Sequence, residues 1–298
     1  MDDIACAEAA FLSTVAKQRV RTYDGNTWEF YDVGDRKLPP LICLPGATGG
    51  PLVFHRVLAV LHATGGYRVL AIQHPVVWTH QEWVHSFDRF LDAMNLSSVH
   101  IYGVCLGAFL AQRYSSMYPR RVRSLALTNG FCNTNVFGAN SPCIKMLPML
   151  PIFYLKQCVT RMSIHETSRP IRYVVGKFAT GSDTSDSVHA ALKYMRAQLD
   201  GLTQQQLASR LTLVCLASDH LSWGISIPHD RVTLIDSHGS NNALTTDLRE
   251  QMYERYPDAK KALMKTAGEF PYVSHHDEVI LYLRVHLRAN ALDAASAM

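Results

Sequence analysis

The chain has 298 residues, of which 48% are hydrophobic and 18% are charged, and its formal net charge is +4. Such a composition is typical of a globular protein that is large enough to bury a sizeable core. The weak charge and the lack of a Lys/Arg block predict no nucleic-acid binding. No apolar stretch approaches the roughly 18 residues that a membrane span needs, and the first residues predict no secretory signal.

The cysteines indicate a reducing compartment. There are seven of them, an odd number, and they are scattered along the chain. This pattern predicts reduced thiols in a cytosolic protein rather than a framework of disulfides. No Cys-x-x-Cys pair or His/Cys cluster has the spacing of metal ligands, so we expect no metal site, and nothing in the sequence indicates a cofactor.

Short apolar runs alternate with segments of helical periodicity, which predicts βαβ units and a mostly parallel sheet with helices on both faces. The predicted strands are a pair within 22–33, followed by 41–44, 68–72, 99–102, 122–127, 232–235 and 262–265. The predicted helices are 52–62, 81–95, 106–118 and 275–288. The helix at 81–95 places its large apolar residues on one face. They are Trp83, Phe87, Phe90, Leu91 and Met94.

The rhythm of strands and helices changes between residue 131 and about residue 215. Prolines are frequent there, and a polar stretch covers 180–186. We interpret the segment as a helical cap inserted into a single domain of residues 1–298. Its predicted helices are too short and interrupted to form the separate hydrophobic core of a second domain. Its apolar residues at 146–153 either pack the cap or line a pocket for a small acyl or ester-like ligand. The tail at 289–298 is predicted to fray.

The segment Gly103-Val104-Cys105-Leu106-Gly107 lies between a predicted strand and a predicted helix. This is the sequence context of a nucleophile elbow, in which glycines permit a tight turn that lifts the central residue above the sheet. The sequence therefore predicts an α/β-hydrolase fold with Cys105 in the position that usually holds a serine.

The sequence also predicts an oxyanion hole. In this fold it uses the backbone N–H after the nucleophile and one from the loop after an earlier strand. Those groups belong to Leu106 and Ala47. The alternative is that the loop at 46–50 is a flexible turn without a role in chemistry.

The partners of a catalytic triad are not found where the fold needs them. Counted from the end of the predicted strand 232–235, the acid position falls on Ser240 or Asn241, neither of which is acidic. Asp236 lies too close to the strand to replace them. The position of the catalytic histidine holds Glu269, and the ordinary pKa of a glutamate lies far below that of a thiol. Glu269 is thus a poor base for Cys105.

A histidine from another position could substitute for the missing base. His238 lies in the loop that should carry the acid, His80 follows an earlier strand, and His275 and His276 follow Glu269. The chain has 14 histidines, so one close to Cys105 is also expected by chance.

Several long segments resemble the maspardin family. The similarity covers roughly residues 24–288 and is weakest between 131 and 190. The segments are 67–78 (YRVLAIQHPVVW), 107–112 (GAFLAQ), 207–213 (LASRLTL), 252–259 (MYERYPDA) and 263–272 (LMKTAGEFPY). The resemblance implies an α/β-hydrolase fold without a complete triad, used for binding partner proteins in the cytosol and at endosomal or trans-Golgi membranes. It also implies a serine at the elbow, from which Cys105 departs.

The leading hypothesis is therefore a non-catalytic adaptor with a hydrolase fold, associated with membranes at most peripherally. A weak thiol hydrolase or thioesterase that uses Cys105 is the first alternative. A receptor that encloses a small acyl or ester-like ligand is the second. The elbow is common to all three, so fold alone does not choose among them.

Overall fold

One twisted sheet organises the molecule. The structure is a computed structural model, and it describes residues 3–138, 142–160, 185–218, 224, 227–237, 243–265 and 268–291. Within these ranges eight strands form one sheet in the order β1-β2-β4-β3-β5-β6-β7-β8. The strands are β1 (Gln18–Arg21), β2 (Thr27–Val33), β3 (Pro40–Leu44), β4 (Arg68–Ile72), β5 (Val99–Val104), β6 (Val122–Thr128), β7 (Val232–Ser237) and β8 (Lys260–Met264).

The sheet is mostly parallel, as the sequence predicts. β2 pairs antiparallel with β1 and with β4, whereas all pairs from β4 to β8 are parallel. The described α-helices of eight or more residues are α1 (Asp3–Thr14), α2 (His55–Thr64), α3 (His80–Ala93), α4 (Leu106–Met117), α6 (Ile152–Thr160), α7 (Asp186–Asp200), α8 (Gln204–Cys215), α9 (Ala243–Arg255) and α11 (His276–Ala291). Two single-turn helices are α5 (Asn135–Gly138) and α10 (Pro271–Ser274). α2 packs against α1 and α11, while α3 packs against α4.

Most predicted elements lie within a few residues of the observed ones, and the differences have local causes. The predicted strand pair at 22–33 was wrong at its start, because β1 ends at Arg21 and residues 22–26 form the turn. The Thr22 hydroxyl donates to the Asn26 carbonyl over 3.0 Å and also bonds the Asp24 carboxylate. β7 extends two residues beyond the prediction because Asp236 and Ser237 pair with β8.

Two helices were not predicted. α1 buries only Ile4 and Phe11, and α9 is largely polar with Leu248 and Met252 buried. Helices with so few inward apolar residues give a weak periodic signal. Residues 289–291, predicted to fray, belong to α11, and the rest of that tail lies outside the described residues.

The helices between β6 and β7 are called the cap below and comprise α5 to α8 together with a 3₁₀ helix at Pro142–Met149. Because β6 and β7 are neighbours in the sheet, the cap is a long excursion between adjacent strands. That a cap-like insertion spans about residues 131–215 remains a prediction. That the whole chain is one domain remains a prediction.

The predicted apolar face of α3 lies in the core. Trp83, Phe87 and Phe90 are fully buried and stack around Trp28 of β2, with ring centroids 5.0 to 6.2 Å from its own. Aromatic pairs at these separations stabilise a core beyond the burial of their area. They fix α3 against the antiparallel edge of the sheet.

The antiparallel and parallel parts of the sheet are joined by a buried ion pair. Arg68 of β4 donates through Nε to Asp32 Oδ1 over 2.9 Å and through Nη2 to Oδ2 over 2.6 Å. A side-on bidentate contact of this kind satisfies both charges and fixes their orientation. The pair holds β2 in register beside β4.

A chain of buried hydrogen bonds crosses β5, β6 and β7. Ser124 Oγ lies 2.7 Å from His100 Nδ1 and 2.8 Å from His286 Nε2, and His286 Nδ1 lies 2.7 Å from Thr233 Oγ1. One set of donors satisfies all three contacts when both imidazoles are neutral: Thr233 donates to His286, His286 to Ser124 and Ser124 to His100. Burial lowers the pKa of His100 to about 4 and that of His286 to about 3.

No helix among the described residues combines the length and the apolar composition that a membrane crossing requires.

The buried histidines predict a loss of stability in acid. The unfolded chain takes up protons at the ordinary histidine pKa near 6.5, whereas folded His100 and His286 resist protonation until about pH 4 and 3. The free energy of unfolding therefore falls as the pH drops below about 6.5. Each resisted proton contributes a slope of up to about 1.4 kcal/mol per pH unit.

Urea unfolding at a series of pH values checks this expectation. Between about pH 6 and pH 4, His286→Gln should reduce the slope of the free energy of unfolding against pH by up to the contribution of one proton. His62→Gln, at an exposed position, should have the slope of the wild type. Other groups titrate in the same window, and Asp236, whose pKa burial raises to about 6, opposes the trend. The difference between the variants isolates His286, and parallel curves for wild type and His286→Gln would contradict the assignment.

Candidate functional site

Cys105 occupies a one-residue turn between β5 and α4. Its backbone has φ 51° and ψ −112°, a left-handed conformation that residues with a Cβ seldom adopt. Its N–H donates to the Thr128 carbonyl over 3.0 Å, and its carbonyl accepts from the Phe109 N–H over 3.1 Å. One residue thus ends the sheet ladder and begins the helix, which is the geometry of a nucleophile elbow.

The two glycines of the elbow are required by close packing. A Cβ atom on Gly107 would lie 2.2 Å from the Leu44 carbonyl oxygen, and one on Gly103 would lie 2.6 Å from the Gly107 carbonyl oxygen. Both separations are far below van der Waals contact. Only glycine therefore allows α4 to start directly against β3 and β5.

The loop after β3 passes directly over the elbow. A Cβ atom on Gly46 would lie 3.4 Å from Cβ and 3.9 Å from Sγ of Cys105. All six residues of Pro45–Gly50 are buried, and Cys105 and Leu106 are 5% and 1% exposed. The structure thus brings the loop of Ala47 next to the thiol. That the N–H groups of Ala47 and Leu106 form an oxyanion hole remains a prediction.

The loop that carries Glu269 is tied to the ends of β6 and β7. Asn129 Nδ2 donates to the Glu269 carbonyl over 3.2 Å, and Asn129 Oδ1 accepts from the Ser237 N–H over 2.9 Å. The Ser237 hydroxyl donates to the Gly268 carbonyl. Asn129 itself has φ 45°, which asparagine tolerates better than most residues. These contacts were not predicted, because the sequence shows only a polar residue after each strand.

The residues proposed for the acid position, Ser240 and Asn241, lie outside the described residues, as does His238. Asp236 belongs to β7, and burial raises its pKa to about 6. Tyr253 of α9 donates a hydrogen bond to this carboxyl. The carboxyl therefore faces α9, and its exclusion from the acid position remains a prediction.

The buried histidines nearest to the predicted site make bonds to the backbone. His80 Nε2 lies 2.7 Å from the Leu213 carbonyl oxygen, and His74 Nε2 lies 2.7 Å from that of Pro45. The second nitrogen of His74 accepts from Trp83 Nε1 over 3.1 Å. Burial lowers the pKa of His80 to about 4 and that of His74 to about 3. Both imidazoles act as neutral structural groups.

The histidines after Glu269 have contacts of their own. His275 Nδ1 lies 3.0 Å from the Ser274 hydroxyl, and both ring nitrogens of His276 lie within 3.2 Å of Arg56. None of these contacts joins a histidine to Cys105.

Arg210 of α8 is the charged residue that the sequence analysis missed. It is 1% exposed, and its Nη1 donates to the carbonyls of Ala47 and Gly49 over 3.3 and 2.6 Å. The sequence feature that could have indicated its role is its position on the helix. Arg210 lies one turn after Leu207 and one turn before Val214, within a stretch of α8 that is buried throughout. A cation on an apolar stripe indicates a specific contact. Here the contact is with the loop above Cys105.

The cap also covers the remainder of this loop. A Cβ atom on Gly49 would lie 2.8 Å from Val53 Cγ1 and 3.1 Å from Met195 Cε. Met195 lies on α7 and is fully buried. The candidate site is thus a buried region between the elbow, the Pro45–Gly50 loop and the cap helices α7 and α8.

Comparison with known proteins agrees with this architecture. The family model described as alpha/beta hydrolase fold matches residues 39–152, which include the elbow. Maspardin of Homo sapiens is 38% identical over 288 residues, which cover 93% of this chain and 85% of that protein. Maspardin of Danio rerio is 35% identical over 291 residues, with coverage of 93% and 84%. The chain belongs to the maspardin family.

Solved structures of other proteins share the fold of this maspardin-family chain. The enol-lactonase from Burkholderia xenovorans LB400 superposes with a TM-score of 0.70 and 12% identity, covering 91% of this chain and 100% of that one. The thermophilic esterase from Thermogutta terrifontis gives a TM-score of 0.69 and 15% identity, covering 92% and 99%. At such low identity the likeness concerns the fold and not the activity.

The elbow packing predicts a large effect of one methyl group. Gly107→Ala should lower the free energy of unfolding by at least about 2 kcal/mol, because the Leu44 backbone cannot withdraw without disturbing β3. Gly201→Ala is a matched control, since its φ is −75° and its nearest atoms lie 3.4 Å or more away. Urea unfolding followed by circular dichroism measures both variants, and equal stabilities would contradict the packing argument.

Proposed function

We propose that this chain is a non-catalytic, protein-binding member of the maspardin family, which works in the cytosol and associates peripherally with endosomal or trans-Golgi membranes. The observation that carries the proposal is the loop of Glu269. Its backbone is held at the sheet edge by Asn129, which supports the prediction that Glu269 stands in the position where this fold supplies its imidazole base. An ionised carboxylate takes a proton from a thiol poorly.

The other polar groups around the site also support binding over hydrolysis. His74 and His80 donate to backbone carbonyls, and their lowered pKa values keep them neutral. Such histidines position backbone and helix rather than transfer protons. The elbow is then a structural element retained from a hydrolase scaffold.

A protein partner has an apolar surface available on the cap. Met149 is 82% exposed and Phe153 is 67% exposed, and Met146 and Tyr154 beside them are also exposed. We propose that these four side chains, which lie within nine residues of one another in the chain, form one apolar surface of the kind that marks interaction sites. We refer to these four residues as the cap patch.

Pulldown with the tagged full chain tests the proposed binding. We expect the wild type to recover a saturable partner from cytosol of its source cells, and the double variant Met149→Ser/Phe153→Ser to lose at least tenfold in recovery, because apolar anchors dominate such interfaces. The matched control is Leu281→Ser/Val285→Ser, which changes two exposed apolar residues of α11. Recovery by the cap variant equal to that of the control would contradict the role of the patch. No saturable partner for the wild type would contradict the proposal.

One observation favours a second function, a thiol-dependent ester or thioester hydrolase. Cys105 retains a strained backbone conformation with φ 51°. Strain of this kind costs about 1 to 3 kcal/mol and is concentrated at functional sites. A thiol in this position could attack an acyl carbon if a base were available.

Hydrolysis assays separate the two functions. We expect the wild type to hydrolyse p-nitrophenyl butyrate and a butyryl thioester no faster than Cys105→Ala, because the site holds a carboxylate in place of its base. Cys105→Ser keeps a nucleophile of similar size and controls for altered packing. Turnover that exceeds Cys105→Ala by tenfold or more would establish the thiol hydrolase instead.

A further inference from the structure

Arg210 is a buried cation, and two of its three nitrogens, which carry three of its five N–H donors, have no hydrogen-bond partner among the described residues. Nη1 bonds the carbonyls of Ala47 and Gly49, but Nε and Nη2 have no hydrogen-bond partner within the described part of the chain. Both atoms are shielded from solvent, and burial lowers the pKa of the guanidinium to about 9. A buried charge without a counter-ion is strongly unfavourable. Within the part of the chain that the structure describes, no acidic side chain pairs with this guanidinium.

The unused atoms form one particular edge of the guanidinium. Nε and Nη2 lie side by side and point the same way, which is the fork that binds a carboxylate through two parallel bonds. The same chain shows this edge in use, because buried Arg68 binds both oxygens of Asp32 through Nε and Nη2. Arg210 presents the identical pair of donors without an Asp or Glu.

Among the described residues around the loop, none supplies a negative charge that pairs with Arg210. His74, which lies near enough for the positive charge of Arg210 to lower its pKa further, is neutral and already bonded at both nitrogens. Gly50 faces the side-chain oxygens of Gln73 and Gln198, which are neutral amides. Val53 and Met195 contact the loop at Gly49. The described residues that contact Gly49 and Gly50 are thus apolar groups and neutral amides. The Glu8 carboxylate lies beyond them, where it accepts from Gln198 and Tyr194, and no described contact joins it to Arg210.

We propose that the Nε–Nη2 edge of Arg210 binds the carboxylate of a small monocarboxylic acid, which is enclosed between the Pro45–Gly50 loop and the cap. A small molecule fits better than a protein side chain because the edge lies completely beneath the cap. The apolar contacts of Val53 and Met195 favour an apolar chain on the acid. The bound carboxylate would form with Arg210 the same kind of bidentate contact that Asp32 forms with Arg68.

This site lies against the same loop as Cys105 but is defined by different atoms. Arg210 holds the carbonyls of Ala47 and Gly49, while Gly46 faces the Cys105 side chain. The proposal requires no covalent step. It also goes beyond the adaptor function without depending on it, because binding of a carboxylate and binding of a protein are measured separately.

Thermal unfolding with and without butyrate tests the proposal. A ligand that binds only the folded chain raises the midpoint temperature by about 5 °C when its concentration is a hundred times its dissociation constant. We expect butyrate to give a saturable rise of this size and butyramide, its neutral counterpart, to give none. Inorganic phosphate distinguishes a carboxylate site from a general anion site. A wild type that responds to none of these, or to butyramide as well as to butyrate, overturns the proposal, and so does a response to phosphate alone.

Variants assign the response to Arg210. Arg210→Met keeps the length of the side chain and removes the charge, and we expect it to lose the butyrate shift. Arg210→Lys keeps the charge but not the fork, and we expect at least a tenfold weaker affinity for butyrate by calorimetric titration. Arg196→Met makes the same change at an exposed position of α7 and should respond like the wild type.

The wild-type comparison of butyrate with butyramide remains decisive if Arg210→Met fails to fold. An unchanged butyrate shift in a folded Arg210→Met variant would overturn the assignment. Loss of the pulldown partner without loss of the butyrate shift would contradict only the adaptor function, and the reverse result would contradict only the carboxylate site.

Discussion

A chain that turns from β5 into α4 at a single residue, Cys105, leaves no room for a side chain two residues before it or two residues after it. This steric constraint fixes Gly103 and Gly107, because their Cα atoms face carbonyl oxygens of neighbouring segments. It also forces Cys105 into a left-handed conformation and brings the loop after β3 over its side chain. The elbow therefore determines where every other part of the candidate site can lie, whether or not the site performs chemistry.

The Pro45–Gly50 loop is the part of the site that the rest of the molecule holds most firmly. His74 accepts a bond from Trp83 of the core and donates to Pro45, while Arg210 of the cap bonds Ala47 and Gly49. The sheet core and the cap thus hold the same short loop from two sides. A change in the cap can reach the surroundings of Cys105 through Arg210 without any movement of the sheet.

Sequence patterns predicted the elements whose packing is periodic and missed those that depend on contacts distant in the chain. The elbow was predictable because each of its glycines lies two residues from the cysteine in the sequence, and α3 was predictable from the spacing of Trp83 and Phe87. α9 was not, because its polar sequence shows little periodicity. The role of Arg210 was equally unreadable, since its partners lie about 160 residues earlier in the chain and local propensity carries no record of them.

The hydrogen-bonded chain of Thr233, His286, Ser124 and His100 has a consequence for how the sheet assembles. Three of its members belong to three adjacent strands, and a strand displaced by one residue turns all of its side chains to the opposite face. A misaligned β5, β6 or β7 would therefore bury a lone imidazole or hydroxyl among apolar residues. Apolar strands slide past one another at little cost, but these polar groups are satisfied in only one alignment. This hydrogen-bonded chain therefore favours one register of β5, β6 and β7 over every misaligned one.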